Sequence, residues 1–426
     1  MIIVLILLLL LFALLGAPLF AILAAGAMIG FYHEEIDLAV MAIEIYRLAE
    51  TPVLLAIPLF TFAGYLLGES QAPHRLVNLT NTLIGWLPGG LAIVALITCA
   101  LFTAFTGASG VTIVALGALL FPALKEAGYG DSFSLGLITS SGSLGLLFAP
   151  SLPLILYGIM LQQLGLTKDI GINDLFLAGI LPGLLMVLLL SAYSMTQKRQ
   201  VTPALKRPSN VETLKAIRES IWELPLPFVV LGGIYAGMIT VSEAAAVTAL
   251  YVLIVEVFIL REIPLKKMPG IMRSSMVLVG GILIIFAVSM ALANYMIDTE
   301  MPMQLFDSIS KHIDNKWTFL ILLNIFLLAL GMMLDIFSAL VIVIPIIVPV
   351  AINYGIHPVH LGIIFLANMQ LGYFTPPVGM NLFIASYRFS RPVMELYRAT
   401  IPFFIILLIA VLIITYVPEL SLYFID

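Results

Sequence analysis

Long runs of apolar residues dominate the chain, and most of its polar residues lie between these runs. A helix needs about 20 consecutive apolar residues to cross the hydrocarbon core of a membrane. By this criterion the pattern predicts spans at about 2–30, 52–68, 131–160, 174–195, 276–297, 359–387 and 399–417, and a pair of shorter spans within 224–260. The predicted fold class is therefore an all-α polytopic membrane protein.

Two further apolar runs, 91–123 and 318–353, are each interrupted in the middle by small and polar residues. The first interruption is Thr106-Gly107-Ala108-Ser109-Gly110, and the second extends from Asp335 to Ser338. Irregular backbone at membrane depth is tolerated only where it is buried in protein or lines a water-filled cavity. Each run is therefore predicted to form a re-entrant helical hairpin, which enters the membrane and returns on the same side.

The two halves of the chain match at a shift of about 226 residues. Each hairpin is followed by a broken span that contains proline at its interruption, at 131–160 in the first half and 359–387 in the second. Each unit has three crossings and one hairpin, so the second unit is inverted relative to the first. Inverted repeats with broken helices are typical of secondary transporters.

The basic residues indicate how the chain is oriented. Thirteen of the 19 Lys and Arg residues fall within 196–223, 261–273 and 388–398, which the positive-inside rule assigns to the cytoplasm;. The predicted organisation is an N-terminal span and interfacial segment (1–51), a first inverted repeat (52–195), a cytoplasmic loop and short-span pair in the scaffold (196–275), a second inverted repeat (276–417) and a C-terminal tail (418–426).

Composition excludes several classes of protein. The chain is 62% hydrophobic and 10% charged, whereas a soluble domain is about 45–50% apolar and about 25% charged. A soluble enzyme, a secreted disulfide scaffold, a disordered regulator and a nucleic-acid binder are therefore excluded. The single cysteine, Cys99, can form neither an internal disulfide nor a thiol-based metal site;.

Residues at the breaks are candidates for binding ions. Half-helix N-termini attract anions, and unwound backbone offers carbonyl oxygens to a small cation. The alternative is that small residues merely let membrane helices pack closely. The candidates are Thr106, Gly107, Ser109, Gly110, Gly145 and Ala149 in the first half, and Gly331, Asp335, Asn368, Gly372, Thr375, Pro376, Val378 and Asn381 in the second.

Three acidic residues, Glu243, Glu256 and Asp335, lie inside apolar runs. A charge in the middle of a membrane costs about 2.5–3.5 kcal/mol on insertion scales, so each should be paired or functional. A functional role is favoured for Asp335, with a helix N-cap as the alternative. Glu243 is expected to cap a helix or contact the scaffold, and Glu256 to reach Arg261 or water.

The chain resembles the large membrane subunit of TRAP (tripartite ATP-independent periplasmic) transporters over nearly its whole length. The resemblance is carried by five motifs in order: FTGASGVTIVALG (105–117), SSGSLGLLFAPSLPLILYG (140–158), SEAAAVTAL (242–250), GMMLDIFSAL (331–340) and NMQLGYFTPPVGMNLF (368–383). It implies a secondary active, Na+-coupled importer of an organic anion of the carboxylate type. It also implies an elevator mechanism, in which a transport domain of both hairpins and both broken spans moves against a scaffold.

The resemblance further implies a location, partners and sites. The protein would lie in the bacterial inner membrane with a small four-helix TRAP membrane subunit, receive substrate from a periplasmic substrate-binding protein, and use no cofactor besides Na+ as the coupling ion. One Na+ site would contain Gly331, Gly372, Thr375 and Val378, and the other Thr106, Ser109, Gly145 and Ala149. The substrate would contact Gly107, Ser109, Gly110, Asp335, Asn368, Pro376 and Asn381.

Two other functions remain open from the sequence. One is an ion-coupled anion carrier that works alone, without a binding protein. The other is an intramembrane serine protease, because residues 107–110 fit a G-x-S-G pattern with Ser109 as the nucleophile. Such a serine needs a general base within hydrogen-bond reach, and His360 is the one candidate in a plausible span.

Overall fold

The computed structural model describes residues 2–165, 170–197, 209–313 and 315–425, which form helices and no β-strand. Nine helical segments in this part of the chain are long and apolar enough to cross a membrane. The predicted all-α polytopic fold is therefore confirmed. The basic residues Lys198, Arg199, Lys206 and Arg207 lie outside the described residues.

The N-terminal region differs from the prediction of one span at 2–30. It forms two shorter helices, α1 (Ile2–Leu14) and α2 (Leu19–His33). The chain turns between them at Gly16, whose φ is +86°, and Pro18 follows with no amide hydrogen to donate;. The next elements are α3 (Ala39–Ala49), a 3-10 turn (Pro52–Leu55), α4 (Ala56–Glu69) and α5 (Ala72–Ile84).

The first hairpin region contains two antiparallel helices, α6 (Gly90–Thr106) and α7 (Ser109–Glu126), joined by two residues. The following apolar run is broken in the middle. It consists of α8 (Asp131–Ser141), a 3-10 turn (Leu144–Leu147) and α9 (Leu152–Leu164). Helices α10 (Ile172–Ala178) and α11 (Ile180–Thr196) complete this half.

The middle of the chain connects the two halves. It contains α12 (Asn210–Glu219), α13 (Pro225–Tyr235), α14 (Val241–Leu253), a π-helical turn (Ile254–Ile259), a 3-10 turn (Leu265–Lys267), α15 (Met268–Asp298) and α16 (Met301–Ser310). Glu243 caps α14, since its carboxylate accepts a hydrogen bond of 2.7 Å from the Thr240 amide while the Thr240 hydroxyl accepts one from the Glu243 amide;.

The second half repeats the pattern of the first. Helices α17 (Lys316–Met333) and α18 (Ile336–Asn353) form a second hairpin, and α19 (Pro358–Gly372) and α20 (Met380–Phe389) are separated by an unwound segment. The chain continues with α21 (Val393–Tyr416) and α22 (Glu419–Leu422). A cis peptide precedes a proline in both unwound segments, at Ala149-Pro150 and at Pro376-Pro377.

The two halves exchange contacts in a symmetric way. Helix α7 of the first hairpin packs against α20 of the second half, and α18 of the second hairpin packs against α9 of the first. Every residue of α19 is buried, and the Ser143 hydroxyl donates a hydrogen bond of 3.3 Å to the Gln370 carbonyl. The breaks of both halves therefore lie together in the interior, where an inverted repeat would bring them.

Candidate functional site: the two hairpin tips

The first hairpin tip reverses direction at Gly107 and Ala108. Gly107 has a φ of +64°, and a Cβ there would lie 2.4 Å from Leu152 Cδ1, so both the conformation and the space favour glycine;. Below the tip, the Thr103 hydroxyl lies 2.7 Å from the Thr112 hydroxyl and donates a bond of 2.9 Å to the Gly142 carbonyl. These bonds join both arms of the hairpin to the break after α8.

The second hairpin tip is closed by its own side chains. Asp335 Oδ1 accepts hydrogen bonds of 3.0 Å from the amides of Phe337 and Ser338, and the Ser338 hydroxyl donates to Asp335 Oδ2. The Ile336 amide donates to the Tyr373 hydroxyl at 2.8 Å. Asp335 is thus the N-cap of α18, the alternative that the sequence left open.

Both tips line one cavity of about 790 Å³. Helices α4 and α15 complete its wall with mostly apolar side chains. Of the predicted substrate residues, Gly107, Ser109, Gly110 and Asp335 line it. A cavity between two half-helix N-termini can hold a small organic ion and shield it from lipid.

The three other predicted substrate residues do not line this cavity within the described part of the chain. The side-chain amide of Asn368 donates a hydrogen bond of 2.6 Å to the side-chain oxygen of Asn324. The side-chain amide of Asn381 donates a hydrogen bond of 3.2 Å to the Thr139 carbonyl. Both side chains are buried among helices, whereas Pro376 is exposed in the unwound segment. The two asparagines therefore join helices outside the cavity wall, and sequence spacing alone could not distinguish this position from one that lines the cavity.

The predicted ion-binding residues of the second half lie around one backbone crossing. A Cβ on Gly372 would lie 2.5 Å from the Gly331 carbonyl carbon, so the two glycines let α19 touch the end of α17. The Gly379 backbone amide donates a hydrogen bond of 3.1 Å to the Met332 carbonyl, and the Thr375 hydroxyl donates one of 2.7 Å to the Leu371 carbonyl. The exposed Val378 immediately precedes Gly379. A cation site at these residues remains a prediction.

The corresponding residues of the first half are less concentrated. Gly145 packs on α6, where a Cβ would lie 2.2 Å from the Ala100 carbonyl oxygen. Thr106 is buried at the tip, with its hydroxyl 3.4 Å from the Ala108 carbonyl, and Ala149 is half-buried next to Pro150. Ser109 lines the cavity instead. A cation site here remains a prediction.

An ion cluster away from the tips was not anticipated from the sequence. Arg75 Nε donates a hydrogen bond of 2.7 Å to the Glu223 carboxylate. The Arg75 guanidinium also lies 3.5 Å from the Glu256 carboxylate and forms an ion pair with Glu262. Glu256 therefore pairs with Arg75 and not with Arg261, whose guanidinium donates to the Phe258 carbonyl. The signal in the sequence was the acid inside an apolar run, which requires a partner.

Burial of Arg75 favours its neutral form, but hydrogen bonds and charge from Glu223 and Glu262 outweigh that effect and raise the pKa of the guanidinium;. Arg75 therefore stays charged and holds α5 to the segment after α14. One carboxylate oxygen each of Glu223 and Glu256 is buried with no hydrogen-bond partner in the described chain. The cluster thus depends on the single cation.

The arrangement around Ser109 does not support a protease. His360 bonds to the Ser421 hydroxyl at 2.6 Å and to the Thr415 carbonyl at 3.2 Å, so its ring serves the contact between α19 and the C-terminal residues. No histidine lines the Ser109 cavity within the described chain. A general base is therefore missing where a serine nucleophile would need one.

Two hairpins whose tips meet beside two broken helices define a secondary membrane transporter. Residues 3–420 match the family model described as the tripartite ATP-independent periplasmic transporter, DctM component. The chain belongs to this family and is a transporter permease, not an enzyme. It is a multi-pass protein of the bacterial inner membrane.

Two relatives of similar length carry names that agree with this family. The C4-dicarboxylate TRAP transporter large permease protein DctM of Pseudomonas aeruginosa is 34% identical over 384 residues, which cover 90% of this chain and 88% of that protein. The ectoine/5-hydroxyectoine TRAP transporter large permease protein UehC of Ruegeria pomeroyi is 32% identical over 417 residues, which cover 97% and 96%.

Two further comparisons concern a longer relative and a solved structure. The isethionate TRAP transporter permease protein DctMQ of Oleidesulfovibrio alaskensis is 34% identical over 373 residues, which cover 87% of this chain and 58% of that protein. The crystal structure of the Alcanivorax borkumensis YdaH transporter has a TM-score of 0.61 at 14% identity and covers 90% of this chain and 87% of its own. The latter likeness concerns the fold alone.

Proposed function

We propose that this permease imports a small organic acid by Na+ symport, with an elevator movement of the hairpins and broken helices against the scaffold. The observation that carries the proposal is the shared cavity, which both hairpin tips line together with α4 and α15. Ions bound beside the tips and substrate bound between them would then move as one body. Coupling follows if the loaded body crosses the membrane more readily than the half-loaded one.

The substrate class draws on the cavity and on the relatives. Relatives are named for C4-dicarboxylates, ectoines and isethionate. Ser109, Gly110 and Val111 at the start of α7 line the cavity, and a helix N-terminus favours an anionic group;. An organic acid of carboxylate type fits this end of the cavity.

Two partners complete the proposed transporter. A small four-helix membrane subunit would associate with the large permease, and a periplasmic substrate-binding protein would deliver the acid. This chain covers only 58% of the DctMQ relative, whose length leaves room for a further membrane subunit in the same polypeptide. The family description as a tripartite transporter supports three parts.

Uptake into proteoliposomes tests this function. The permease is reconstituted with its small subunit, and the binding protein is added outside with radiolabelled organic acids. We expect uptake that needs an inward Na+ gradient and stops when K+ replaces Na+. Uptake that persists without the binding protein would favour the stand-alone carrier, and uptake that follows a proton gradient in the absence of Na+ would contradict sodium coupling.

A further inference from the structure

The shared cavity is asymmetric in charge. Its wall in the described chain contains two charged side chains, Glu69 and Asp335, and both are acidic. A site for a dianion would be expected to offer a cation near each negative group. The two carboxylates therefore disfavour a substrate with a second negative group and favour one with a positive group.

The two hairpin tips offer different chemistry to an anion. At α18 the first three amides are all occupied, by the Tyr373 hydroxyl and the Asp335 carboxylate. At α7 the N-cap residue is Ala108, which has no capping side chain, and the amides of Ser109 to Val111 have no partner in the described residues. Only the first tip is therefore open to a carboxylate.

Ser109 adds a second feature to the open tip. Its side chain is 5% exposed and lines the cavity, and its hydroxyl has no hydrogen-bond partner among the residues that the structure describes. A hydroxyl that borders a cavity and has no partner in the protein can donate a hydrogen bond to a ligand that binds there. A bound carboxylate would accept a hydrogen bond from it and from the adjacent amides.

Glu69 is an exposed residue in the wall of the same cavity. It is the last residue of α4, lines the cavity, and has no ion pair or hydrogen bond within the described residues. The preceding residue, Gly68, approaches the first turn of α7, where its Cβ would lie 3.2 Å from Val111 Cγ1. Glu69 therefore borders the cavity next to a residue that approaches the first turn of α7, whereas the charge of Asp335 is already engaged by the N-terminus of α18;.

We propose that the cavity selects a zwitterionic organic acid, whose carboxylate binds Ser109 and the open amides of α7 and whose positively charged nitrogen faces Glu69. This inference rests on the proposed transport function and assigns Glu69 as a specificity residue. A dianion would place its second negative group near Glu69, where like charges repel.

Three four-carbon acids test the charge preference. The purified permease is titrated in detergent with γ-aminobutyrate, succinate or butyrate at constant Na+ concentration and ionic strength, and the dissociation constants are taken from the saturable shift in melting temperature. We expect γ-aminobutyrate to bind at least tenfold more tightly than succinate. Equal binding, tighter binding of succinate, or binding of none of the three acids would overturn the proposal.

Two substitutions that each remove one negative charge at nearly constant size identify the residue responsible. Glu69→Gln should weaken the binding of γ-aminobutyrate about tenfold, equivalent to about 1.4 kcal/mol, and strengthen the binding of succinate. Glu126→Gln, at the exposed far end of α7, should change neither constant. An unchanged ratio of the two constants in Glu69→Gln would overturn the assignment.

A gain of stability tests the open tip. Ala108 has the extended backbone of an N-cap residue, with φ −132° and ψ 111°, so Ala108→Asp should let the new carboxylate occupy the α7 amides as Asp335 does at α18;. We expect a higher melting temperature together with loss of binding of all three acids. Undiminished binding in this stable variant would contradict carboxylate binding at α7.

These results are distinguishable from failure of the transport function. Sodium-driven uptake in proteoliposomes does not depend on which acid prefers the cavity. Sodium-driven uptake of succinate in preference to zwitterions would leave the proposed function intact and reject the charge selection. Loss of sodium dependence with a retained preference for γ-aminobutyrate would reject the proposed sodium coupling and leave the charge selection intact.

Discussion

Asp335 shows how a single side chain determines what a helix terminus can bind. Its carboxylate accepts bonds from two amides at the start of α18 and from the Ser338 hydroxyl, so the positive end of this helix is already occupied. In the equivalent place the first hairpin has Ala108, which offers no such acceptor. The two repeats therefore share a backbone arrangement, but the helix N-terminus at the second tip is capped and that at the first tip is not.

Substitution of Asp335 separates its capping role from its charge. Asp335→Ala removes the cap and should lower the stability by about 0.5–2 kcal/mol and abolish uptake. Asp335→Asn keeps an N-cap oxygen and should retain most of the stability, so the charge can be assessed alone. Melting temperature and proteoliposome uptake are the measurements. Uptake at the wild-type rate in Asp335→Ala would show that Asp335 is dispensable for transport.

Arg75 is the residue on which three carboxylates depend. Arg75→Met would leave Glu223, Glu256 and Glu262 together without a cation, and we expect a loss of about 3–5 kcal/mol, because breaking a buried pair leaves charge uncompensated;. The matched control is Arg398→Met at an exposed position. Denaturation in detergent compares them. Equal stability of both variants would contradict a structural role for the cluster.

At the scale of elements, α4 and the first hairpin tip touch through Gly64. A Cβ at this position would lie 2.5 Å from Thr106 Cα, which is backbone and cannot rotate away. In Gly64→Ala the helix and the tip must separate, at an expected cost of about 1–3 kcal/mol. The same contact joins the proposed scaffold to the proposed moving body, so uptake should fall as well.

Gly280→Ala is the matched control for Gly64→Ala. Gly280 lies within α15, and its Cβ would meet no atom within 4 Å. Alanine there should leave stability unchanged or raise it by up to about 1 kcal/mol through helix propensity. If both variants melt alike, close packing between α4 and the tip is not what requires glycine.

The sequence predicted the hairpins and broken helices well because their signals are local. Small and polar residues within an apolar run mark each break, and Gly107 and Asp335 lie at the observed tips. It could not predict the partners of Arg75, which lie 148 to 187 positions away. Nor could it tell that Asn368 and Asn381 lie outside the cavity wall, because that depends on how α19 and α20 are rotated.

At the scale of the whole molecule, the two repeats form one body by exchanging contacts. Helices α7 and α20 pack together, as do α9 and α18, and each pair combines one half of the chain with the other. In the proposed function this body carries ions and substrate as a unit, and α4 and α15 border its cavity. Sodium coupling is the central claim of the proposed function.

The most direct test is the melting temperature of the purified protein in Na+ and in K+ at equal ionic strength, for the wild type and Thr375→Ala. An ion that binds only the folded state stabilises it by about 2.7 kcal/mol at 100 times its dissociation constant. We expect Na+ to raise the melting temperature of the wild type and to lose this effect in Thr375→Ala. Equal melting temperatures of the wild-type protein in the two salts would contradict a sodium site.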